Sequence, residues 1–445
     1  MKDDTFTILA SVIIGILQMV LLFGYNLMGF AVESVMHSVK GRCPDCIIDF
    51  AGYYGQCLVY IVYTLSNLLA PAILHTIGIR KTLIVASLCF LAYTSSFLYI
   101  HNFVYFPAAI LAGFAFPLYY VGAGTYSAKH STDATFSRNQ AVFWTVAQIS
   151  FLLTGLLMIA SSEFSSDQEL QLNVTSAKGY RHYSENEIDL LTYGSMAMAC
   201  IALVIAAFLP MRNIPNSIFN PANRKSFREQ LGLMFSTMMT SKMFLLVPLH
   251  CFGGMYIAFW LTIYPTTVAF TSEFAEHKHL IGYICISLTF GEVLLGLIIS
   301  YGNRKFANFG QWPVLWMTVA SFGINIVVLV LFSPPLASIR PTDGLPILGT
   351  SIAIPILMGV LNGIVDGCLN NVRMVACAKV LPENPAISFS ISKFYQGAAC
   401  ATFYYVSSIF TVYQLAGLLS GTLALGVIGY ALVMRLHINV KQIKC

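Results

Sequence analysis

The chain has 445 residues, 57% of them hydrophobic and only 10% charged, with a mean hydropathy of +0.74. A soluble domain usually carries ~25% charged residues, so this composition excludes a water-covered surface on a chain of this length and leaves one whose sides face lipid. The formal net charge of +5 is then a matter of membrane orientation and not of nucleic-acid binding.

A membrane-crossing helix needs ~20 apolar residues. Runs of that kind near 7–30, 52–75, 82–100, 103–126, 139–161 and 190–209 predict six spans. After a polar gap, runs near 243–268, 279–301, 312–333, 347–371, 386–407 and 411–435 predict six more. The expected fold is an all-α membrane protein of twelve transmembrane helices in two six-helix repeats: 1–209, a linker at 210–242, and 243–445. The first run is too long for the apolar core of a signal peptide and has no clean cleavage site behind it, so it is expected to remain as a span.

The first loop holds Cys43-Pro44-Asp45-Cys46. A disulfide is the preferred reading if this loop faces an oxidising compartment. The spacing also resembles a redox or zinc pair, although no second pair or histidine cluster completes a site. The other cysteines lie mostly within spans, where the residue behaves as a small apolar one.

Span two is followed by Gly78-Ile79-Arg80-Lys81, and span eight by Gly302-Asn303-Arg304-Lys305, about half the chain later. The same basic turn at the same place in each half is what parallel repeats produce. It is also what any cytoplasmic loop needs. With the N-terminus inside, eighteen of the 24 Lys and Arg fall on inner segments and six on outer ones. That bias predicts both termini in the cytoplasm. The long loop at 162–189 is then outside and holds Asn173-Val174-Thr175, a glycosylation acceptor.

With the other acids assigned to loops, two remain inside spans. Glu292 lies mid-way along span eight, and Asp366 toward the inner end of span ten. An ionisable group at such depth costs ~2.5–3.5 kcal/mol to insert and normally faces a cavity or a partner. These two are the candidate coupling or gating carboxylates. Asn362, Asp366 and Asn370 recur every four residues on one face of span ten, beside a stripe of Gly359, Gly363 and Gly367. Gln18 on span one, Gln56 and Asn67 on span two, Gln148 on span five, and Lys393 and Gln396 on span eleven mark further polar faces. Such faces either line a cavity or glue helices together, glycine stripes usually pack, and Lys393 can snorkel to the cytoplasm.

No nucleotide-binding loop, metal-protease motif or nucleophile elbow is found, so neither an enzyme nor a cofactor is expected. Nor is there an arginine-rich voltage-sensing span or a potassium-filter motif.

Several stretches resemble the unc-93 family of the major facilitator superfamily, in particular its carrier-like orphan members in animals. They are Gly52-Tyr53-Tyr54-Gly55 through Ser66-Asn67 to Pro71, Gly124 through Arg138-Asn139 to Phe143-Trp144 and Gln148, and Leu280-Ile281-Gly282 into Gly291-Glu292. Leu361 to Asn371 and Lys393-Phe394-Tyr395-Gln396 complete the set. The resemblance implies a twelve-helix fold with both termini cytoplasmic. It implies two possible roles: a solute carrier, or a non-transporting protein that is a regulatory subunit of a potassium channel or a trafficking partner of a membrane protein such as a receptor. In the usual superfamily signature an Asp precedes the basic pair, whereas here Thr76 and Ser300 stand at those places. This departure puts the usual cytoplasmic gate lock in doubt. The partners expected are membrane lipid and either a small-molecule substrate or a membrane protein. The plasma membrane is the expected location, with an endolysosomal membrane as the alternative.

Overall fold

The computed structural model describes residues 3–132, 134–163, 179–218, 227–306, 309–380 and 385–443. Asn173 lies outside the described residues. Among those residues the chain forms helices without a strand. Eleven helices are long and apolar enough to cross a membrane. In chain order the helices are α1 (Asp3–Arg42), α2 (Ala51–Ile77), α3 (Ile79–Ser95), α4 (Asn102–Lys129), α5 (Phe136–Ser162) and α6 (Glu185–Ala207). A short helix, α7 (Phe227–Met238), follows. Then come α8 (Ser241–Ala269), α9 (Leu280–Lys305), α10 (Trp312–Phe332), α11 (Ala353–Val380), α12 (Pro385–Ser407) and α13 (Val412–Ile443).

Local chemistry sets the ends of these helices. Asp3 and Asp4 open α1 and Lys40 and Arg42 close it, each sign facing the favourable end of the helix dipole. Gly78 turns the chain from α2 to α3 at φ 81°, where a side chain would be strained. Arg80, just past that turn, donates to the Leu209 carbonyl beyond α6, 2.7 Å away. α8 crosses through one π-helical turn, Phe259–Ile263, which ends two residues before Pro265. The wider turn accommodates a proline that has no N–H to give.

The two halves pack in the same pattern. In the first, α1 lies against α5 and α6, and α4 against α2 and α3; in the second, α8 lies against α12 and α13, and α11 against α9 and α10. The halves meet through α2 on α12 and α5 on α9. These pairings are what a parallel repeat related by one axis along the bundle would give. Large apolar side chains remain exposed around the outside, among them Leu65, Val204, Leu297, Val327 and Leu425. Such a girdle suits lipid.

Polar links between halves gather toward the end of the bundle that holds the 43–50 loop. There the Tyr53 hydroxyl donates to the Ser338 carbonyl (2.8 Å), and the Arg181 N–H donates to the Ala269 carbonyl (2.8 Å). His279 of the second half meets Ser162 and Glu163 of the first. In the same region Cys43 and Cys46 are joined as a disulfide.

Several helices differ from their expected spans, two of them in ways that move an acid. α1 continues well past residue 30 to Arg42, and α11 runs from 353 to 380 instead of 347 to 371. Asp366 therefore sits near the middle of its helix, not toward its inner end. Glu292 is also near the middle of α9.

Candidate functional site

Asp366 is buried at the centre of the second half. One carboxylate oxygen accepts from the indole N–H of Trp260 (3.2 Å) and the other from the side-chain amide of Asn370 (2.8 Å). Asn370 reaches Asp366 because four residues on α11 return to one face. Trp260 belongs to the π turn of α8, a distortion often found at functional positions. The same indole packs between Phe30 of α1 (6.1 Å between rings) and Phe151 of α5 (5.6 Å). Asp366 is thus held by a side chain that touches both halves.

Glu292 is half-buried and takes a hydrogen bond from the side-chain amide of Gln148. This links α9 to α5 across the boundary between halves. At the same boundary the Cys285 thiol donates to the Phe151 carbonyl (3.2 Å). Asp366 and Glu292 are electrostatic neighbours, and Lys393 and Arg373 also act on Asp366.

Arg373 lies two turns along α11 from Asp366 and is buried. Its guanidinium donates to Ser392 Oγ (2.8 Å) and Gln396 Oε1 (2.6 Å) of α12. Ser392 also meets His250 Nδ1 of α8 at 3.0 Å. Lys393 is half-buried, with its ammonium 5.9 Å from the Tyr120 ring centre and 5.3 Å from that of Phe389. It thus lies between a ring of its own helix and one of α4 in the other half.

Several other polar residues read from the sequence bond within their own half. Gln18 accepts from the Tyr119 hydroxyl (2.9 Å). Gln56 accepts from Tyr25 (2.5 Å) and donates to Tyr93 (3.2 Å). Asn362 accepts from Tyr256 and from Asn325, both at 2.8 Å. All three are buried, so they tie helices together instead of lining an open space. Gln396 is likewise buried, as the acceptor for Arg373. Asn67 is half-buried beside Tyr63 and joins none of the acids.

The basic turns of the two halves also differ. Arg80 binds a backbone carbonyl within its own half, while Lys81 is exposed. Arg304 and Lys305 are exposed, with Lys305 near the Tyr301 hydroxyl (3.4 Å). Thr76, at the place of the usual Asp, turns its hydroxyl back to the Ala72 carbonyl (2.9 Å).

The sequence reading missed Glu33 and Trp260. Glu33 follows the fall in hydropathy near residue 30 and reads as a loop acid, but it is buried within the longer α1. A helix-compatible run after residue 30, with no proline before Pro44, was the available signal. Trp260 carried no ionisable group and offered none.

Comparison with known proteins agrees with this architecture. Residues 43–430 match the family described as ion channel regulatory protein UNC-93. The chain is 24% identical to the UNC93-like protein MFSD11 of Xenopus tropicalis, over 92% of each chain. It is 22% identical to UNC93-like protein 3 of Arabidopsis thaliana, over 79% of this chain and 72% of that one. Among solved structures, the nucleoside transporter NupG superposes with a TM-score of 0.58 at 15% identity, covering 96% of this chain and 99% of its own. The E. coli fucose:proton symporter FucP does so with a TM-score of 0.59 at 11% identity, covering 96% and 99%.

Proposed function

The chain belongs to the UNC-93 family, and on that premise we propose that it is a solute carrier of the major-facilitator type in which Asp366 and Glu292 couple substrate movement to protons. The fold is that of multi-pass transporters. The observation that carries the proposal is the placement of Asp366. It is a buried carboxylate at mid-helix, held by Trp260, and Trp260 packs on both halves. Any rocking of the halves must alter what surrounds that indole, and through it the carboxylate. Glu292 meets the same demand, because its donor Gln148 belongs to the other half. A proton gained or lost at either carboxylate is thereby tied to the relation between halves, which is what alternating access requires.

In this reading α12 is the eleventh span in chain order and brings the count to twelve. It is of spanning length and fills the place in the second half that α5 fills in the first. The halves are 1–209 and 243–445, joined by the 210–242 linker that contains α7. Both termini face the cytoplasm, so Asn173 and the disulfide loop face outward. The membrane is the plasma membrane, with an endolysosomal membrane as the alternative.

The test is uptake into proteoliposomes of the full chain across a panel of small solutes, with and without an inward proton gradient. Wild type should show gradient-driven uptake of at least one solute. Asp366→Asn and Glu292→Gln should each remove the dependence on the gradient while the protein still reaches the membrane. Uptake by both variants that equals wild type would remove the proposal's main support.

A second reading comes from the family's description, which names ion channel regulation. In it the chain is a non-transporting subunit whose helix faces bind a potassium channel. Potassium currents recorded with and without the chain decide it, and unchanged currents across the two-pore channels would count against it.

A further inference from the structure

We propose that the substrate of this site is a small organic anion whose carboxylate or phosphate group is held between Lys393 of α12 and Arg373 of α11. The inference rests on the carrier reading and names its substrate class.

Two cations stand in the interior without a carboxylate partner. Among the described residues, no ion pair includes Arg373 or Lys393. The guanidinium of Arg373 is satisfied only in part, by the neutral oxygens of Ser392 and Gln396, and its Nε–H has no partner. Among the described residues, Lys393 meets the faces of Tyr120 and Phe389. The nearby Asp366 has each of its oxygens committed to a neutral donor, Trp260 or Asn370. Cations at this depth are normally paired or wetted.

The guanidinium lies close against Gly253 of α8, where a Cβ would stand 2.6 Å from Arg373 Nη1 and the side chain would have to shift. A third group points the same way: His250 Nε2 is fully buried and has no partner, while its Nδ1 is engaged with Ser392. Three nitrogen-bearing side chains from α8, α11 and α12 thus converge on one region, and each has capacity to spare. The fork of an arginine and the point charge of a lysine together suit an oxyanion.

The charge balance fits the carrier reading. When the carboxylates hold a proton, the charge of the two cations is no longer offset from a distance, and an incoming anion offsets it. Anion and proton then travel together through an interior that stays close to neutral. The aromatic faces of Tyr120 and Phe389 beside Lys393 leave an apolar wall for the body of the ligand.

The test is thermal unfolding of the purified full chain in detergent at matched ionic strength. The probes are benzoate, succinate and phenyl phosphate, set against the neutral benzamide and succinamide and the cationic benzylamine. At least one anion should raise Tm by a few degrees while its neutral counterpart does not, since a ligand stabilises the state that binds it. Benzoate against phenyl phosphate separates carboxylate from phosphate. Lys393→Gln should remove the shift without lowering the ligand-free Tm, and Lys393→Arg should restore it. The proposal is overturned if no anion shifts Tm, if the neutral amides shift it as much, or if Lys393→Gln keeps the shift. Such a result leaves a carrier of neutral or cationic solutes standing, whereas anion binding without proton-driven uptake would sink the carrier reading alone.

Discussion

The carboxylate of Glu33, in α1, accepts a hydrogen bond from the backbone N–H of Tyr53 at the start of α2, 3.0 Å away. One helix thereby caps another. The residue at the N-cap of α2 is Phe50, which sits at φ 56° and has no side chain able to accept. The first N–H groups of a helix need an acceptor, and Glu33 supplies it from across the bundle. Gly52 makes the approach possible, since a Cβ there would stand 2.6 Å from the Glu33 Cα. Losing a capping acceptor costs ~1 kcal/mol, so Glu33→Ala should lower the thermal midpoint in detergent. Glu33→Gln keeps an oxygen and should lower it less. Gly52→Ala, which meets backbone, should be worse than either. A Glu33→Ala protein as stable as wild type would show that α2 is capped in some other way.

The glycine stripe of α11 packs on α9, and its members should not tolerate substitution equally. A Cβ on Gly363 would lie 2.1 Å from the Leu288 carbonyl and 2.9 Å from the Glu292 N–H. Both are backbone atoms and cannot yield. A Cβ on Gly367 would meet only the end of the Leu295 side chain, at 2.6 Å. Overpacking a tight contact typically costs ~1–3 kcal/mol. Gly363→Ala should therefore cut the yield of folded, monodisperse protein sharply, and Gly367→Ala should leave it near wild type. Size-exclusion profiles of the two variants provide the comparison, and equal profiles would contradict the seam.

The contrast between Glu292 and Glu33 shows what the sequence could and could not disclose. Glu292 was legible because a carboxylate inside a long apolar run must be hydrogen-bonded, paired or wetted, whether its role is structural or functional. Glu33 has the same chemistry, but it follows the point where hydropathy falls, and hydropathy marks lipid contact and not helix length. The span pattern was readable for the same reason: each run must hide its own backbone. Partners across helices were not readable. Helical phase put Asn362, Asp366 and Asn370 on one face, yet Asn362 bonds to Tyr256 and Asn325 while Asn370 bonds to Asp366. Periodicity specifies a face, and only packing specifies what that face meets.

His182, in the segment between α5 and α6, gives a pH test outside the spans. Burial draws its pKa down from 6.5 to about 4, with the charges of His37, Arg42 and Arg181 adding to the effect. The ring also lies 3.7 Å from that of Tyr180. A histidine depressed in the folded state leaves the unfolded chain holding more protons between those two values. Stability is then full above pH 6.5, falls as pH drops toward 4, and levels off below. Replacing it with Gln removes this contribution. The difference in thermal midpoint between wild type and His182→Gln should therefore shift against wild type across that window and stay flat above it. A difference that does not change with pH would show that His182 is not held neutral.

Tyr53 also serves the contact between halves, through its other end. Its hydroxyl donates to the Ser338 carbonyl at 2.8 Å, and both residues are buried. Tyr53→Phe keeps the ring and the capped N–H but leaves a buried carbonyl without its donor. An unsatisfied buried group costs ~1–3 kcal/mol, and the cost falls only on conformations in which this end is closed. The variant should therefore populate conformations with the 43–50 loop end parted more than wild type does. Spin labels at Tyr99 and Glu276, exposed loop positions in the two halves, would report this in a background lacking reactive thiols. The expected outcome is a longer-distance population that grows in Tyr53→Phe. Identical distance distributions in the two proteins would mean that this hydrogen bond does not bias the closure.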